Sequence, residues 1–410
     1  MQIIHSLADT DYYIFTMMQT ILHQAPGAWV RFEFKWRNWK DIKLNQDLET
    51  FLTKVDEQIK IFCELVFKDE ELALFNEIPY FKRDFVSFLR LFKPDYNFVK
   101  IYVKDGEPRI SIEGPWLHTI IFEVPVLAIV SELYTQDQLG ESETVWWSEA
   151  KVNLDKKIRF LKTYTKDDPS FKFSDFGTRR RAHFFFQSYL IETLKYHLPN
   201  NFVGSSNVYL SQKYGMKPKG TMAHQFLQAF QQLGPRLIDS QQAALQAWAN
   251  EYRGHLGVAL SDVITFDAFL ADFDLYFAKL FDGCRHDSGS PFTWGNKLIN
   301  HYQNLGIDPK TKTAIFSDGL TFQKAIEIYE SFKDRINVAF GIGTYLTNDI
   351  GIVAPQIVIK MVECNKRPVA KIADSAGKGM CEDEEFHHYL LKVIKEKVNA
   401  NGGRLFVMPV

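Results

Sequence analysis

From Thr313 to Phe340 the chain spells one strand, one helix and a second strand, and no other stretch constrains the fold as tightly. Thr313-Ala-Ile-Phe-Ser317 is a short apolar run of the kind that fills a buried strand. Phe322, Ala325, Ile326, Tyr329 and Phe332 then recur at helical spacing, and Ile336-Asn-Val-Ala-Phe340 returns to strand. Two strands joined through one helix lie parallel, with a right-handed crossover. The alternation continues on both sides, with a strand at 256–260, a helix over 266–281 and a strand at 356–361. These elements predict an α/β domain, either barrel-like or doubly wound.

Polar residues stand at the ends of those strands. Ser261-Asp262, Asp318-Gly319 and Gly341-Ile-Gly-Thr344 each follow a predicted strand directly, and Arg285-His-Asp-Ser-Gly289 joins them after a short one. In a parallel barrel the carboxyl ends of the strands form one face, so these residues converge there although they are far apart in sequence.

The first third of the chain has a different character. A helix is predicted at 12–22, a strand at 28–34, and a hairpin turning at Asp105-Gly106 whose second strand stops at Gly114-Pro115. A buried helix follows at 125–134. The polar run 135–144 marks the domain boundary, which gives an N-terminal α+β domain at 1–140, rejoined by residues from about 362 to 410, and an α/β barrel at 141–361. With 410 residues the chain has length enough for about two such domains. The net charge of −2 supplies no global field to recruit nucleic acid or an anionic membrane. No apolar run approaches the roughly 20 residues of a membrane span. The four cysteines, Cys63, Cys284, Cys364 and Cys381, are widely spaced, so neither a zinc site nor a disulfide framework is expected, and a reducing cytoplasm fits them.

Within this frame one stretch asks for a ligand. Asp175-Phe-Gly-Thr-Arg-Arg-Arg181 sets three guanidiniums behind a glycine turn, and the fork of arginine suits phosphate oxygens. A solvated basic helix start explains the same residues, and spacing alone leaves both readings open. Gly341-Ile-Gly-Thr344 makes either a phosphate-binding nest or an ordinary turn, since it lacks the third glycine of a dinucleotide fingerprint and the lysine of a P-loop. Asp287 and Asp318 suit ribose hydroxyls or Mg²⁺, or else helix capping. His224 is one of 11 histidines.

Taken together, Thr10-Asp-Tyr-Tyr13, the 175–181 stretch, Gly204-Ser-Ser-Asn207, Gly220-Thr-Met-Ala-His224, Arg285–Gly289, Phe316-Ser-Asp318, Gly341–Thr344 and Val369–Lys378 resemble the nicotinate phosphoribosyltransferase family. They occur in the family's order and span nearly the whole chain. The resemblance implies a type II phosphoribosyltransferase, an irregular α/β barrel with an N-terminal α+β domain. Its reaction joins nicotinate to phosphoribosyl diphosphate, giving nicotinate mononucleotide and diphosphate as the first step of NAD biosynthesis from nicotinate, with ATP as co-substrate and Mg²⁺ as cofactor. By the same resemblance Tyr13 and Phe176 sandwich the pyridine ring, Tyr13 reaching in from a neighbouring subunit of a homodimer. Thr221 and Arg285 meet the carboxylate, and Ser206 stands where nicotinamide-using relatives carry an Asp. Arg179, Arg180, Asp287, Ser288, Asp318, Gly341, Gly343 and Thr344 take phosphoribosyl diphosphate, Asp287 and Asp318 being the candidate Mg²⁺ ligands. His224 becomes the phosphohistidine, with Lys217 and Lys219 offsetting its charge.

Three positions depart from the family pattern. Gln225 replaces a Glu expected to orient the imidazole, Gly319 replaces an Asn, and Ala376 replaces a Pro in the Asp374–Lys378 turn. The nearest rival function is a nicotinamide phosphoribosyltransferase on the same fold. A non-catalytic phosphosugar or nucleotide sensor is the rival from another class, and a nucleic-acid binder is weaker still because the basic footprint is local.

Overall fold

The computed structural model describes residues 2–140, 144–166 and 168–400; the middle of the boundary run 135–144 and the last ten residues of the rejoining segment lie outside the described residues. Among the described residues eleven strands divide into two sheets. In chain order they are β1 (Trp29–Trp36), β2 (Val99–Lys104), β3 (Glu107–Pro115), β4 (Lys172–Asp175), β5 (Phe202–Ser205), β6 (Val258–Leu260), β7 (Gly283–His286), β8 (Thr313–Phe316), β9 (Asn337–Ile342), β10 (Ile357–Cys364) and β11 (Arg367–Pro368).

The first sheet is antiparallel, ordered β11-β10-β1-β3-β2. Alternating residues of β3 are buried, Pro108, Ile110, Ile112 and Gly114 facing inward, as a sheet covered on one face requires. The hairpin between β2 and β3 turns at Asp105 and Gly106, both in the left-handed region. The second sheet is parallel, ordered β5-β4-β9-β8-β7-β6, and the crossover from β8 through the helix Phe322–Phe332 to β9 is as expected. Its edge strands β5 and β6 are not paired with each other, which makes the barrel irregular. At those edges Asp11 bridges Asn207 and Ile264 bridges Ile372, so chain from both ends of the sequence takes the place of ladder strands.

Two expectations change. The strand at 356–361 does not continue the α/β alternation. As β10 it lies antiparallel to β1, paired from Val30 opposite Cys364 to Trp36 opposite Ile357 with a register shift between Arg31 and Phe32, so the return to the first sheet begins at 357 and not near 362. β10 also has Lys360 and Glu363 among its apolar residues, a mixture that local pattern could not assign to either sheet. The helix at 266–281 is broken into Phe266–Asp272 and Leu275–Leu280, because the Asp274 carboxylate accepts from the amides of Tyr276 and Phe277 and starts a new helix.

The core is continuous across both sheets. At its centre runs Trp116–Leu139, a helical stretch long and apolar enough for a membrane span, contrary to the expectation that none exists. The protein itself buries 94% of its most apolar 18-residue window, and a helix wrapped on all sides is apolar all round for that reason.

Candidate active site

The carboxyl ends of β4, β7, β8 and β9 open onto a cavity of about 400 Å³. Phe176, Arg179 and Arg180 reach it from the turn after β4, Arg285 and Asp287 from β7, Asp318 from β8, and Gly343 and Thr344 from β9. His224 enters it as the first residue of the helix His224–Leu233. The antiparallel sheet adds Arg37 and Lys360, and the C-terminal return adds Lys371 and Lys378. Among the described residues only two carboxylates, Asp287 and Asp318, line the cavity beside these cations and the three arginines.

That imbalance has electrostatic consequences. Burial, then repulsion from Arg179 and Arg37, pulls the Arg180 guanidinium down to about 10. Burial, with Lys371 and Arg37 adding to it, holds the Lys360 ammonium well below its ordinary value. An anion in the cavity relieves both costs. Arg285 states the case most directly: among the described residues its buried Nε has no acceptor, and its guanidinium makes one long bond, to the Met222 carbonyl at 3.4 Å. A buried guanidinium donor left without an acceptor is costly, and a carboxylate supplies what it lacks.

The arginine triplet divides. Arg179 and Arg180 face the cavity, whereas Arg181 is fully buried, answered by Asp9 at 2.6 Å and Glu132 at 2.7 Å. The third guanidinium therefore ties the first residues of the chain to the helix Glu123–Leu139 and does not meet a ligand.

His224 sits in an ion cluster. Its Nε2 lies 2.9 Å from Asp262 Oδ1, 2.7 Å from Lys371 Nζ and 3.4 Å from Asp287 Oδ2. Burial, then Lys371, pulls the imidazole down to about 3 against the opposing pull of Asp262, so the ring is neutral at pH 7. Lys371 has Asp262 Oδ2 at 3.0 Å, and Ser288 Oγ donates to the same carboxylate at 2.7 Å. With Nε2–H donating to Asp262, Lys371 donates to that carboxylate's other oxygen, and its 2.7 Å approach to Nε2 is then a close contact and not a hydrogen bond. Lys371 thus occupies the place expected of Lys217 and Lys219, which pack at Gly204 instead. Burial and Asp262 push the Asp287 carboxyl up, but Arg285, His224 and Lys371 outweigh them and bring it to about 2.

Five expected residues stand behind the cavity wall. Ser288 holds Asp262. Gly341 lies under the Phe176 ring, where a Cβ would sit 2.2 Å from Cδ2, so its glycine makes room for the aromatic face and does not cradle phosphate. Thr221 donates its hydroxyl proton to the Val258 carbonyl at 2.8 Å. Ser206 donates to Asp11 at 2.7 Å, and Asp11 Oδ2 is 3.8 Å from Arg179 Nε. Tyr13 donates to Glu123 at 3.2 Å, and that oxygen is 3.7 Å from Arg179 Nη1. Tyr13 therefore meets the Arg179 corner of its own chain.

Two family models cover most of the sequence. Residues 8–131 match the nicotinate phosphoribosyltransferase N-terminal domain, and residues 171–397 match the nicotinate phosphoribosyltransferase family. The chain belongs to the nicotinate phosphoribosyltransferase family. A nicotinate phosphoribosyltransferase of Ectopseudomonas mendocina is 49% identical over 397 residues, covering 96% of this chain and 97% of its own. One from Xylella fastidiosa is 50% identical over 394 residues, with 95% and 98% covered. The crystal structure of a Vibrio cholerae nicotinate phosphoribosyltransferase superposes with a TM-score of 0.89 at 36% identity, over 98% of both chains.

Within the nicotinate phosphoribosyltransferase pattern the three departures now have structural readings. Gly319 adopts φ +56°, a left-handed conformation that Asn also tolerates, so the turn after Asp318 keeps its shape. The turn carrying Ala376 is tied down without a proline: Asp374 accepts from the Phe266 amide at 2.9 Å, and Ser375 accepts from the Gly289 amide at 2.8 Å. Gln225 does not touch His224. Its Oε1 accepts from Trp116 Nε1 at 2.8 Å, and its Nε2 donates to Glu123 Oε2 at 2.6 Å; Asp262, not residue 225, orients the imidazole.

Proposed function

We propose that this chain is a nicotinate phosphoribosyltransferase, which joins nicotinate to phosphoribosyl diphosphate and releases diphosphate, with ATP hydrolysis coupled through a phosphorylated His224. The observation that carries the reading is the Arg285 guanidinium, whose buried Nε lacks an acceptor in a cavity that also holds the Phe176 ring. A flat aromatic carboxylate fits that pair, because it stacks on the ring and offers the oxygen Arg285 lacks.

The rest of the cavity suits the second substrate. Displacing diphosphate builds positive charge on the ribose and negative charge on the leaving group, and fixed guanidiniums lower the energy of the latter by several kcal/mol, roughly. Arg179, Arg180, Arg37 and Lys360 are placed for the phosphates, and Gly343 and Thr344 for the 5-phosphate. Asp287, held ionised and facing the cavity, fits as an oxygen ligand of Mg²⁺. Asp318 is already paired with Lys378, so Asp287 is the better candidate of the two. A bound Mg²⁺ would neutralise part of the diphosphate charge.

His224 is neutral and its Nε2 proton is directed to Asp262, which leaves the Nδ1 lone pair for the γ-phosphoryl of ATP, ADP being released. Lys371 then offsets part of the added negative charge. Asp11, Tyr13, Glu123 and Arg179 meet within one chain, so this corner of the site forms without a second copy, and a homodimer is the proposed assembly. The reducing cytoplasm is the proposed setting, in keeping with four free cysteines.

The test is turnover of labelled nicotinate, and separately of nicotinamide, with phosphoribosyl diphosphate and Mg²⁺, with and without ATP. Nicotinate should be strongly preferred and ATP should stimulate its use. His224→Asn should retain a slow ATP-independent synthesis while ATP hydrolysis and ATP stimulation vanish. An ATP response that survives in His224→Asn would show that another group accepts the phosphoryl.

A further inference from the structure

The side chain of Gln225 belongs to a buried polar line that leads to the substrate cavity. Trp116 Nε1 donates to Gln225 Oε1 at 2.8 Å, and Gln225 Nε2 donates to Glu123 Oε2 at 2.6 Å. The other oxygen of Glu123 accepts from the Tyr13 hydroxyl at 3.2 Å and faces Arg179 Nη1 at 3.7 Å. All of these residues except Arg179 are buried to at least nine-tenths. The line begins one residue after His224, in the first turn of the helix His224–Leu233.

We infer that Gln225 is a positioning residue: its carboxamide fixes the Glu123 carboxylate so that Glu123 holds Tyr13 behind the cavity wall and Arg179 facing the substrates. The inference rests on the function proposed above and adds to it a specific physical role for a residue that departs from the family pattern. A carboxamide suits the place because it accepts from Trp116 on one side and donates to Glu123 on the other. A carboxylate at 225 has no proton to donate, and it would stand against Glu123 as a like charge at hydrogen-bonding distance. Burial pushes the Glu123 carboxyl up, while Arg179, Lys360 and the bonds from Gln225 and Tyr13 favour its ionised form. Asp11 Oδ2 lies 3.8 Å from Arg179 Nε, so two carboxylates face the guanidinium, with Asp287 acting on Arg179 and Arg285 acting on Asp11 as further charges.

The experiment compares wild type, Gln225→Leu and Gln225→Glu by steady-state kinetics from pH 6 to 9, with thermal melting of each protein. Gln225→Leu removes both hydrogen bonds at similar volume, and KM for nicotinate and for phosphoribosyl diphosphate should rise roughly tenfold while kcat changes less than about threefold. Gln225→Glu keeps the Trp116 bond and can share one proton with Glu123. Its KM values should lie near wild type at the acid end and climb as pH rises and the shared proton leaves, a limb absent from the other two proteins. If Gln225→Leu does not fold, that pH limb decides alone. A wild type that fails to use nicotinate sinks the proposed function and this role with it. A working wild type beside a Gln225→Leu with unchanged KM values, or a Gln225→Glu that follows the wild-type pH profile, overturns the positioning role and leaves the proposed function standing.

Discussion

Ser206 donates its hydroxyl proton to Asp11 at 2.7 Å, and both side chains are buried. That bond changes what an acidic residue at 206 does. From the sequence, Ser206→Asp is a specificity exchange, because the new carboxylate would repel the acid of nicotinate and accept from the amide of nicotinamide. In the fold it also places two carboxyl groups within hydrogen-bonding distance in a region where burial already pushes the Asp11 carboxyl up. One of them must hold a proton or the pair must separate. Ser206→Asp is therefore expected to cost roughly 2–4 kcal/mol of stability and to lose nicotinate turnover at least tenfold without an equal gain for nicotinamide. Calorimetric melting beside assays of both bases checks this. An unchanged melting temperature with raised nicotinamide turnover would show that the Asp11 bond is unimportant. The residue type at 206 suggested a role in specificity, but its partner, 195 positions away, was not legible.

At the scale of the element, caps decided what periodicity could not. The helix Phe184–His197 is started by His183, whose Nδ1 accepts from the Phe185 amide at 3.1 Å. A ring nitrogen accepts only while it is unprotonated. Burial, then repulsion from Arg181 and His5, lowers the folded pKa of His183 to about 4 from an ordinary 6.5. Between those values the unfolded chain binds a proton that the folded chain refuses, so the contribution of His183 to stability is full above pH 6.5 and shrinks as pH falls toward 4. His183→Asn keeps a capping acceptor without the titration. Its melting temperature should fall less steeply than that of wild type between pH 6.5 and 4, and equal slopes would place the proton elsewhere. The Asp274 cap that divides the predicted helix at 266–281 is the same physics, and its signal, an Asp before Leu275-Tyr-Phe-Ala, stood in the sequence. The strand β10 carried no such signal, since nothing local distinguishes joining a parallel sheet from returning to an antiparallel one.

For the whole molecule, the parallel sheet, the antiparallel sheet and the C-terminal return all contribute to one cavity within one chain. Mixing Tyr13→Ala with Arg285→Ala protein should therefore give no recovery of activity beyond the sum of the two, even where exchange of copies is demonstrated by mass-tagged subunits. Recovery toward wild-type turnover would mean that Tyr13 serves a neighbour. The sequence by itself determined the parts whose causes are local: the β8–helix–β9 crossover, the hairpin at Asp105-Gly106, and the polar residues after β7, β8 and β9 that converge because parallel strands end on one face. Its motifs were enough to place Arg179, Arg180, Arg285, Asp287 and His224 together, as the cavity has them. Only the tertiary structure decided which charges answer one another. Lys371 meets His224 across 147 positions, Gln225 meets Glu123 across 102, and Arg181 meets Asp9 across 172. A buried ion needs a partner within a few ångströms, but neither spacing nor periodicity says which distant residue supplies it.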